Sequence, residues 1–203
     1  RLGYTCSDNF GVTIEETLTA LDAAVKAGKI RHVGVSNETP WGVQEYLRVS
    51  NNKSLARVQS IQNPYGLLNR IYEVGLSEIS YRENIGLLAY SPLGFGMLTG
   101  KYIDSIPKDS RLGLHGEWFT RYNNEKCIAA TKKYLAVAKK YDLSLTQLAL
   151  AFVNTRPFLT SNIIGATTIS QLKENIESID INLSDEIIDE INNIHDDIPN
   201  PAP

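Results

Sequence analysis

The sequence predicts an α/β protein in which four parallel strands alternate with helices. Short apolar runs, each ended by glycine, proline or asparagine, are typical of strands that are covered on both faces. Between these runs lie longer segments with apolar residues at helical spacing and capping residues at their starts. Regular alternation of the two is the pattern of a parallel sheet built from right-handed crossovers.

The composition indicates one globular domain, which we assign to residues 1–203. The chain is 42% hydrophobic and 21% charged, with a formal net charge of -3. Its lysines and arginines are scattered, which argues against nucleic acid or an anionic membrane as a partner. No apolar run approaches the ~20 residues of a membrane helix, so we expect a cytoplasmic protein. The chain starts at Arg1 without a signal-peptide pattern, and we expect it to be an interior fragment.

The cysteines and histidines do not indicate a metal site. Cys6 and Cys127 are far apart in unrelated contexts, so no disulfide is expected either. His32, His115 and His195 fall within no ligand spacing. We therefore assign no metal.

Capping signals locate the elements of the first part of the chain. Thr13 and Glu16 fit a capping box, and Thr39 can cap a second helix that has Pro40 in its first turn. The predicted elements are a helix from Thr13 that ends before Gly28, a strand over 29–36, a helix from Thr39 to about Asn52, and a strand from Val58 to Gln62.

The rest of the chain continues the alternation after a long loop. Ser144 and Gln147 form another capping box, and Thr168 caps a later helix. The loop at about 102–122 has little apolar periodicity, and loops of this length are usually functional, so we interpret it as a lid over a ligand. The predicted elements are a helix over about 71–84, the strand Leu87–Tyr90, a helix over 124–141, a helix from Ser144 to about Asn154, a strand at Ile163 and Ile164, a helix from Thr168, and a last helix from Ser184 to His195.

The segment from Gly86 to Tyr102 carries the strongest functional signal. A buried strand ends there in a loop with three glycines and a lysine, and ligands bind at the carboxyl ends of parallel strands. Glycines let the backbone approach a ligand closely, while Lys101 can bring a point charge to an anion. The alternative is an ordinary glycine-rich loop between a strand and a helix.

These residues also resemble a known family. The run Tyr90-Ser91-Pro92-Leu93-Gly94-x-Gly96-x-Leu98-x-Gly100-Lys101-Tyr102 is similar to the seventh-strand signature of the aldo-keto reductases, and segments 28–37, 61–65 and 165–175 agree with the family in order and spacing. Within the family the chain resembles the bacterial Tas-like reductases and, more loosely, the potassium-channel β subunits. The resemblance implies the C-terminal half of a (β/α)₈ TIM barrel, strands five to eight, since a closed barrel takes ~250 residues.

The resemblance implies NADPH as the cofactor. Ser36, Asn37 and Gln62 stand where the family holds the nicotinamide carboxamide, and Tyr90 stands where an aromatic ring stacks on the nicotinamide. The pyrophosphate would be wrapped by a set of loop residues and neutralised by two cations. The loop residues are Ser91, Pro92, Leu93, Gly94, Gly96 and Leu98, and the cations are Lys101 and Arg111.

The loop after the last strand leads straight into a helix start, whose free amides make an anion site or serve as a plain helix cap. The resemblance implies that Gly165, Thr167 and Gln171 hold the region of the adenosine 2′-phosphate, and that Glu174 and Asn175 hold the adenine. Many family members carry arginine where Gln171 stands, so the preference for NADPH over NADH stays open.

No catalytic residue is assigned to this chain. The resemblance implies a proton-donating tetrad of aspartate, tyrosine, lysine and histidine from the first half of the barrel, and none of those motifs occurs here, so we expect the fragment alone to be inactive. Trp118, Phe119 and Tyr122 on the long loop either shape a substrate pocket or pack locally.

The parent protein is expected to reduce an aldehyde or ketone to an alcohol with NADPH. The alternative is a nicotinamide-binding sensor or regulatory module similar to the channel β subunits, and an intact or defective tetrad in the upstream sequence would separate the two. Because four unclosed strands leave two sheet edges exposed, we also expect self-association or pairing with the missing N-terminal half.

Overall fold

A computed structural model of the chain describes residues 11–116 and 120–203. It divides into two compact units, Arg1–Ile61 and Gln62–Pro203, and each is described by itself. The assignment of one domain to the whole chain stays a prediction. Within the described ranges, no helix is both long and apolar enough to cross a bilayer.

The first unit contains two helices whose predicted caps are confirmed. The Thr13 hydroxyl oxygen accepts a hydrogen bond from the Glu16 amide at 3.1 Å, and that of Thr39 accepts one from the Gly42 amide at 3.0 Å. Each bond satisfies an amide that has no partner inside its helix. The elements are α1 (Ile14–Lys26), β1 (Val33–Ser36), α2 (Pro40–Lys53) and the start of β2 (Val58–Pro64).

The first strand is shorter than the sequence predicted. Gly28 has a φ of 69°, and the amides of Gly28 and Lys29 donate back into α1, to Val25 and Ala24. The prediction of a strand over 29–32 is therefore wrong, because the first of these residues serve to end the preceding helix.

The second unit begins within β2 and holds the remaining elements. Its capping box at Ser144 is confirmed, since the Ser144 and Gln147 side chains each bond the other's backbone amide. Thr168 is confirmed as a cap by its bond from the Gln171 amide. The elements are α3 (Leu76–Glu83), β3 (Gly86–Tyr90), α4 (Arg111–His115), α5 (Glu125–Lys140), α6 (Leu145–Asn154), β4 (Leu159–Asn162), α7 (Ile169–Glu177) and α8 (Asp185–Asp197).

The strands form a parallel sheet in the order β1-β2-β3-β4, which confirms the predicted α/β class and is consistent with part of a (β/α)₈ barrel. Strands β3 and β4 pair in parallel, with Leu88 opposite Ser161 and Ala89 opposite Asn162. The carboxyl ends of neighbouring parallel strands open on the same edge of the sheet, so the loops after β3 and β4 emerge together.

The last strand lies earlier than predicted. Its pairing starts where the Leu87 amide donates to the Phe158 carbonyl, and it ends where the Ile163 amide donates to Ala89. A Cβ on Gly86 would lie 1.5 Å from Thr160 Oγ1, so the glycine leaves space for this polar strand. The prediction of a strand at Ile163 and Ile164 is wrong, because the pairing uses backbone groups of polar residues that carry no apolar signal.

The predicted helix over about 71–84 is interrupted. Residues Ile71–Val74 form a single 3₁₀ turn, and Gly75, with a φ of -156°, leaves the helical conformation before α3 begins. The turn keeps Tyr72 buried, where its hydroxyl shares a hydrogen bond with that of Ser80. Gly75 therefore separates two short elements.

A buried ion pair lies beside this turn. Arg70 Nε and Nη2 donate to the Glu73 carboxylate at 3.0 and 2.8 Å, and Arg70 Nη1 donates to Asn192 Oδ1 at 2.9 Å. The Tyr65 hydroxyl donates to the same carboxylate, and the Arg70 guanidinium lies 5.2 Å from the centre of the Phe152 ring. Burial alone would raise the pKa of Glu73, but the bonds from Arg70 and Tyr65 hold it below its ordinary value.

The C-terminal tail is anchored to the second unit. The Ala202 amide donates to the Leu68 carbonyl, and the Asn69 amide group donates to the Ala202 carbonyl at 2.8 Å. Buried Cys127 lies beneath the tail, with its sulfur 3.4 Å from the Pro201 carbonyl oxygen. Burial raises the pKa of this thiol to about 11. The tail therefore both buries these polar groups and supplies their hydrogen-bond partners.

Helix α7 exposes a continuous apolar stripe. Leu172 and Ile176 follow one another at helical spacing, with Ile169 before them and Ile179 just after the helix, and all are at least 43% exposed. The other side of the helix is buried through Asn175. An apolar face of this kind is typical of a surface that packs against something else.

Candidate cofactor-binding site

The loop after β3 is held in an unusual backbone conformation. Positive φ angles occur at Ser91, Gly94, Phe95, Gly96 and Gly100, between 54° and 98°. Glycines adopt such angles freely but other residues rarely do, so Ser91 and Phe95 mark local backbone strain of the kind that is common at functional sites.

The same loop is closed on itself by backbone hydrogen bonds. The Gly94 amide donates to Ser91, and the amides of Gly96 and Leu98 both donate to the Leu93 carbonyl, at 2.8 to 3.1 Å. These three amides already have partners inside the loop, which gives the loop a preformed shape.

Lys101 supplies the first positive charge. A Cβ placed on Gly96 would lie 3.2 Å from Lys101 Cε and 3.4 Å from Nζ, so the lysine side chain lies directly against this glycine. Its ammonium nitrogen is 5.0 Å from the centre of the Tyr102 ring, within the range of a cation–π contact. The absence of a side chain at Gly96 therefore makes room for the cation.

Arg111 supplies the second positive charge. It is the first residue of α4, and its guanidinium carbon lies 5.8 Å from the centre of the Phe95 ring. Lys101 and Arg111 thus lie beside the same glycine-rich loop, although they are separated in sequence by the start of the long connection. Two cations beside a closely approachable backbone suit an anion such as a diphosphate.

Tyr102 connects these two parts. It is 3% exposed, and its hydroxyl oxygen accepts a hydrogen bond from the Leu112 amide of α4 at 3.4 Å. Burial would raise the pKa of Tyr102, but hydrogen bonds with Ser110 and the Leu112 amide, together with the charge of Lys101, bring it below its ordinary value. Sequence reasoning gave this residue no role, because nothing local shows what its hydroxyl contacts.

Tyr122 is a packing residue. It is 2% exposed, its ring lies edge-on to Phe95 at 4.9 Å, and it fills the space beside Gly94. Burial raises its pKa to about 12. This position agrees with local packing as the alternative to a substrate pocket, while Trp118 and Phe119 lie outside the described residues.

The loop after β4 is shaped by the side chains that were predicted to bind the adenosine. Gln171 Oε1 accepts hydrogen bonds from the amide and hydroxyl of Thr167, at 2.8 and 3.0 Å. Buried Asn175 donates to the Gly165 carbonyl at 3.2 Å, and Glu174 accepts a bond from the Ser144 hydroxyl. Gln171 and Asn175 thus hold the loop, and a ligand at this edge would meet a formed surface.

The residues predicted to contact the nicotinamide lie at or near strand ends, and each is described within its own unit. In the first unit, Ser36 ends β1 and Asn37 follows with a φ of 55°, its amide nitrogen donating to Ser36 Oγ at 3.1 Å. In the second unit, Gln62 lies exposed in the last part of β2, and Tyr90 ends β3 half-buried. Their roles stay predictions.

Metal-ligand side chains do not cluster in the described residues, and two of the buried tyrosines do not suit proton donation. Within 11–116 and 120–203, no three or more histidine, cysteine, aspartate or glutamate side chains come together as metal ligands. Buried Tyr65 and Tyr134 have pKa values raised chiefly by burial, which is the opposite of what a proton donor near neutral pH requires.

Comparison with known proteins identifies a family and several relatives of this chain. A model of the aldo/keto reductase family matches residues 4–196. The chain is 47% identical to protein Tas of Escherichia coli K12 over 205 residues, covering 100% of this chain and 59% of that protein. It is 32% identical to the L-glyceraldehyde 3-phosphate reductase of the same organism, covering 82% of this chain and 49% of that protein.

The name of a third relative specifies NADH. The NADH-specific methylglyoxal reductase of Escherichia coli K12 is 32% identical over 177 residues, covering 87% of this chain and 52% of that protein. The chain therefore spans between 49% and 59% of the length of these three relatives.

Proposed function

Because the chain belongs to the aldo/keto reductase family, we propose that it forms the nucleotide-binding part of an oxidoreductase that reduces an aldehyde or ketone with NADPH. The observation that carries this proposal is the meeting of Lys101 and Arg111 on the glycine-rich loop after β3. When bound, the nucleotide supplies a hydride to the carbonyl carbon. The work of this chain is to hold and orient it.

The loop residues perform this work by shape and charge. Gly94 and Gly96 allow the positive-φ conformation of the loop from Ser91 to Leu98, and the missing side chain at Gly96 leaves room for Lys101 to lie beside a bound diphosphate. Lys101 and Arg111 offset its negative charge. The assignment of the carboxamide to Ser36, Asn37 and Gln62, and of ring stacking to Tyr90, rests on the family resemblance.

The proton donor and the carbonyl pocket are proposed to lie outside these 203 residues. A chain with the nucleotide surface alone binds without turning over, so we propose that it has no reductase activity by itself. A sensor role similar to the channel β subunits stays the alternative, since Gln171 follows their version of the sequence, and we place either protein in the cytoplasm.

The proposal is tested by isothermal titration of the 203-residue chain with NADPH. We expect saturable binding with one site per chain, and the same titration with nicotinamide mononucleotide, which lacks the diphosphate bridge and the adenosine, should give much weaker binding. No saturation with NADPH up to about 1 mM, which corresponds to about -4 kcal/mol, would contradict the proposal.

The preference between the two nucleotides depends on Gln171. Replacing it by arginine adds a charged donor where the family places the 2′-phosphate, so Gln171→Arg is expected to raise the ratio of NADPH to NADH affinity about tenfold. Gln44→Arg adds the same charge on α2 and serves as the control. An unchanged ratio in Gln171→Arg would place the 2′-phosphate elsewhere.

We also propose that the chain associates with a second copy through α7. An antiparallel pair of these helices with its two-fold axis near Ile176 would bury both apolar stripes and bring Lys173 of each copy opposite Asp180 of the other. The charges at 173 and 180 are exposed and of opposite sign, so the surface is complementary to itself. The predicted cofactor residues Gln171 and Asn175 lie on other sides of the helix.

Sedimentation velocity tests this association. The chain is expected to form a dimer at micromolar concentrations, and Ile176→Lys to shift it toward the monomer, because a charge would be placed in the apolar contact. Ser170→Lys, an exposed position outside the stripe, should leave the dimer intact. A monomeric wild-type chain, or a dimer that survives Ile176→Lys, would exclude this surface.

A further inference from the structure

Tyr102 makes contacts with two separate segments of the chain, one through its ring and one through its hydroxyl. Its ring lies beneath the Lys101 ammonium, and a Cβ on Gly96 would come within 3.3 Å of Tyr102 Cε2, so the ring packs on the glycine loop. Its hydroxyl contacts the start of α4, where it accepts a hydrogen bond from the amide of Leu112, 10 residues further along the chain.

Hydrogen bonds of Ser110 also fix the start of α4. Ser110 accepts a hydrogen bond from the Gly113 amide at 3.2 Å and donates to the Pro107 carbonyl at 2.6 Å. A Cβ on Gly113 would lie 2.3 Å from that same Pro107 oxygen, so the turn is tightly packed. Arg111 sits between Ser110 and Leu112, and its backbone position is therefore determined by this turn and by the bond to Tyr102.

We infer that Tyr102 is a positioning residue that couples the two cations of the nucleotide site, with its ring placing Lys101 on the glycine loop and its hydroxyl placing Arg111 against the same loop. This inference rests on the proposed function and adds to it that the contribution of Arg111 to nucleotide binding depends on Tyr102. The ligand class is a dinucleotide whose diphosphate carries the charge.

The consequence is a specific non-additivity. In Tyr102→Phe the ring stays, so Lys101 keeps its contact, but the tie to α4 is lost and Arg111 is no longer held toward the loop. Removing the Arg111 charge should then cost little more, because a double-mutant cycle reports the coupling between two residues that act together. A purely structural tyrosine would lower stability without this dependence on Arg111.

The test is a titration of four proteins with NADPH: wild type, Tyr102→Phe, Arg111→Met and the double variant. We expect Arg111→Met to weaken binding about tenfold, Tyr102→Phe about fivefold, and the double variant no more than about twofold beyond Arg111→Met alone. Lys108→Met, at an exposed position in the same connection, is the matched control. Its effect on NADPH affinity should multiply with that of Tyr102→Phe when the two changes are combined.

Two results would overturn the inference in distinguishable ways. If wild-type protein binds NADPH and the two single effects multiply, the coupling is absent while the proposed function stands. If the wild type gives no saturable binding, the proposed function fails and the inference falls with it. Ser110→Ala, which removes the other hydrogen-bond partner of the Tyr102 hydroxyl, tests the same tie should Tyr102→Phe not fold, and it is expected to show the same non-additivity with Arg111→Met.

Discussion

Replacing Arg70 by methionine is expected to lower the free energy of unfolding by about 3 kcal/mol, the largest single effect on stability that we predict. The Arg70 side chain is 10% exposed and that of Glu73 is 27% exposed, and the guanidinium also bonds Asn192 of α8. Without it, the partly buried carboxylate of Glu73 keeps the bond from the Tyr65 hydroxyl and the more distant charge of Arg156, but it loses its ion-pair partner, so much of the desolvation cost is no longer compensated.

The measurement is urea-induced unfolding followed by circular dichroism. Arg82→Met is the matched control, since Arg82 also pairs with a glutamate one helical turn away, Glu78, but both side chains are at least 67% exposed. Exposed pairs contribute between about 0 and 1 kcal/mol, so this variant should unfold close to wild type. Equal losses in the two variants would show that burial does not decide the contribution of the pair.

Replacing Lys101 by methionine is expected to weaken NADPH binding by about 10- to 30-fold. The methionine keeps the apolar stem that packs on Gly96 and Tyr102, but it removes the charge that offsets the diphosphate, and a hydrogen bond to a charged group contributes about 1.5 to 3 kcal/mol. The change should be largest at low salt, because part of the attraction is screened as ionic strength rises.

Isothermal titration at two salt concentrations measures this effect. Lys108→Met removes the same charge from an exposed position in the connection between β3 and α4, and it should change binding by less than about twofold. If Lys101→Met and Lys108→Met bind NADPH equally well, the phosphates do not lie on the loop after β3, and the proposed site has to be abandoned.

Local signals in the sequence predicted most helix starts. Thr13, Thr39, Ser144 and Thr168 all cap helices as expected, because a cap depends on residues only three positions apart. The strand β4 was misplaced for the opposite reason. Thr160 and Ser161 look like loop residues, and only pairing with β3, more than 70 residues earlier, makes them a strand.

Contacts between distant residues explain what else the sequence could not show. The bonds from Arg70 to Asn192 and Asn200 join positions more than 120 residues apart, and no local pattern announces them. For the candidate site, the motif predicted the loop and its lysine, but the role of Tyr102 depends on the position of its hydroxyl against α4. Motifs identify residues next to a ligand more readily than residues that support them.

The cover of the C-terminal tail over Cys127 turns this residue into a probe of local opening. The thiolate is the nucleophile that attacks thiol reagents, and a buried thiol with a pKa of about 11 is both inaccessible and almost fully protonated near neutral pH. Labelling therefore requires the tail to lift from the second unit. In a variant with Cys6 replaced by serine, the rate at which Cys127 is modified would report how often that happens, and at what free energy, while the rest of the protein stays folded.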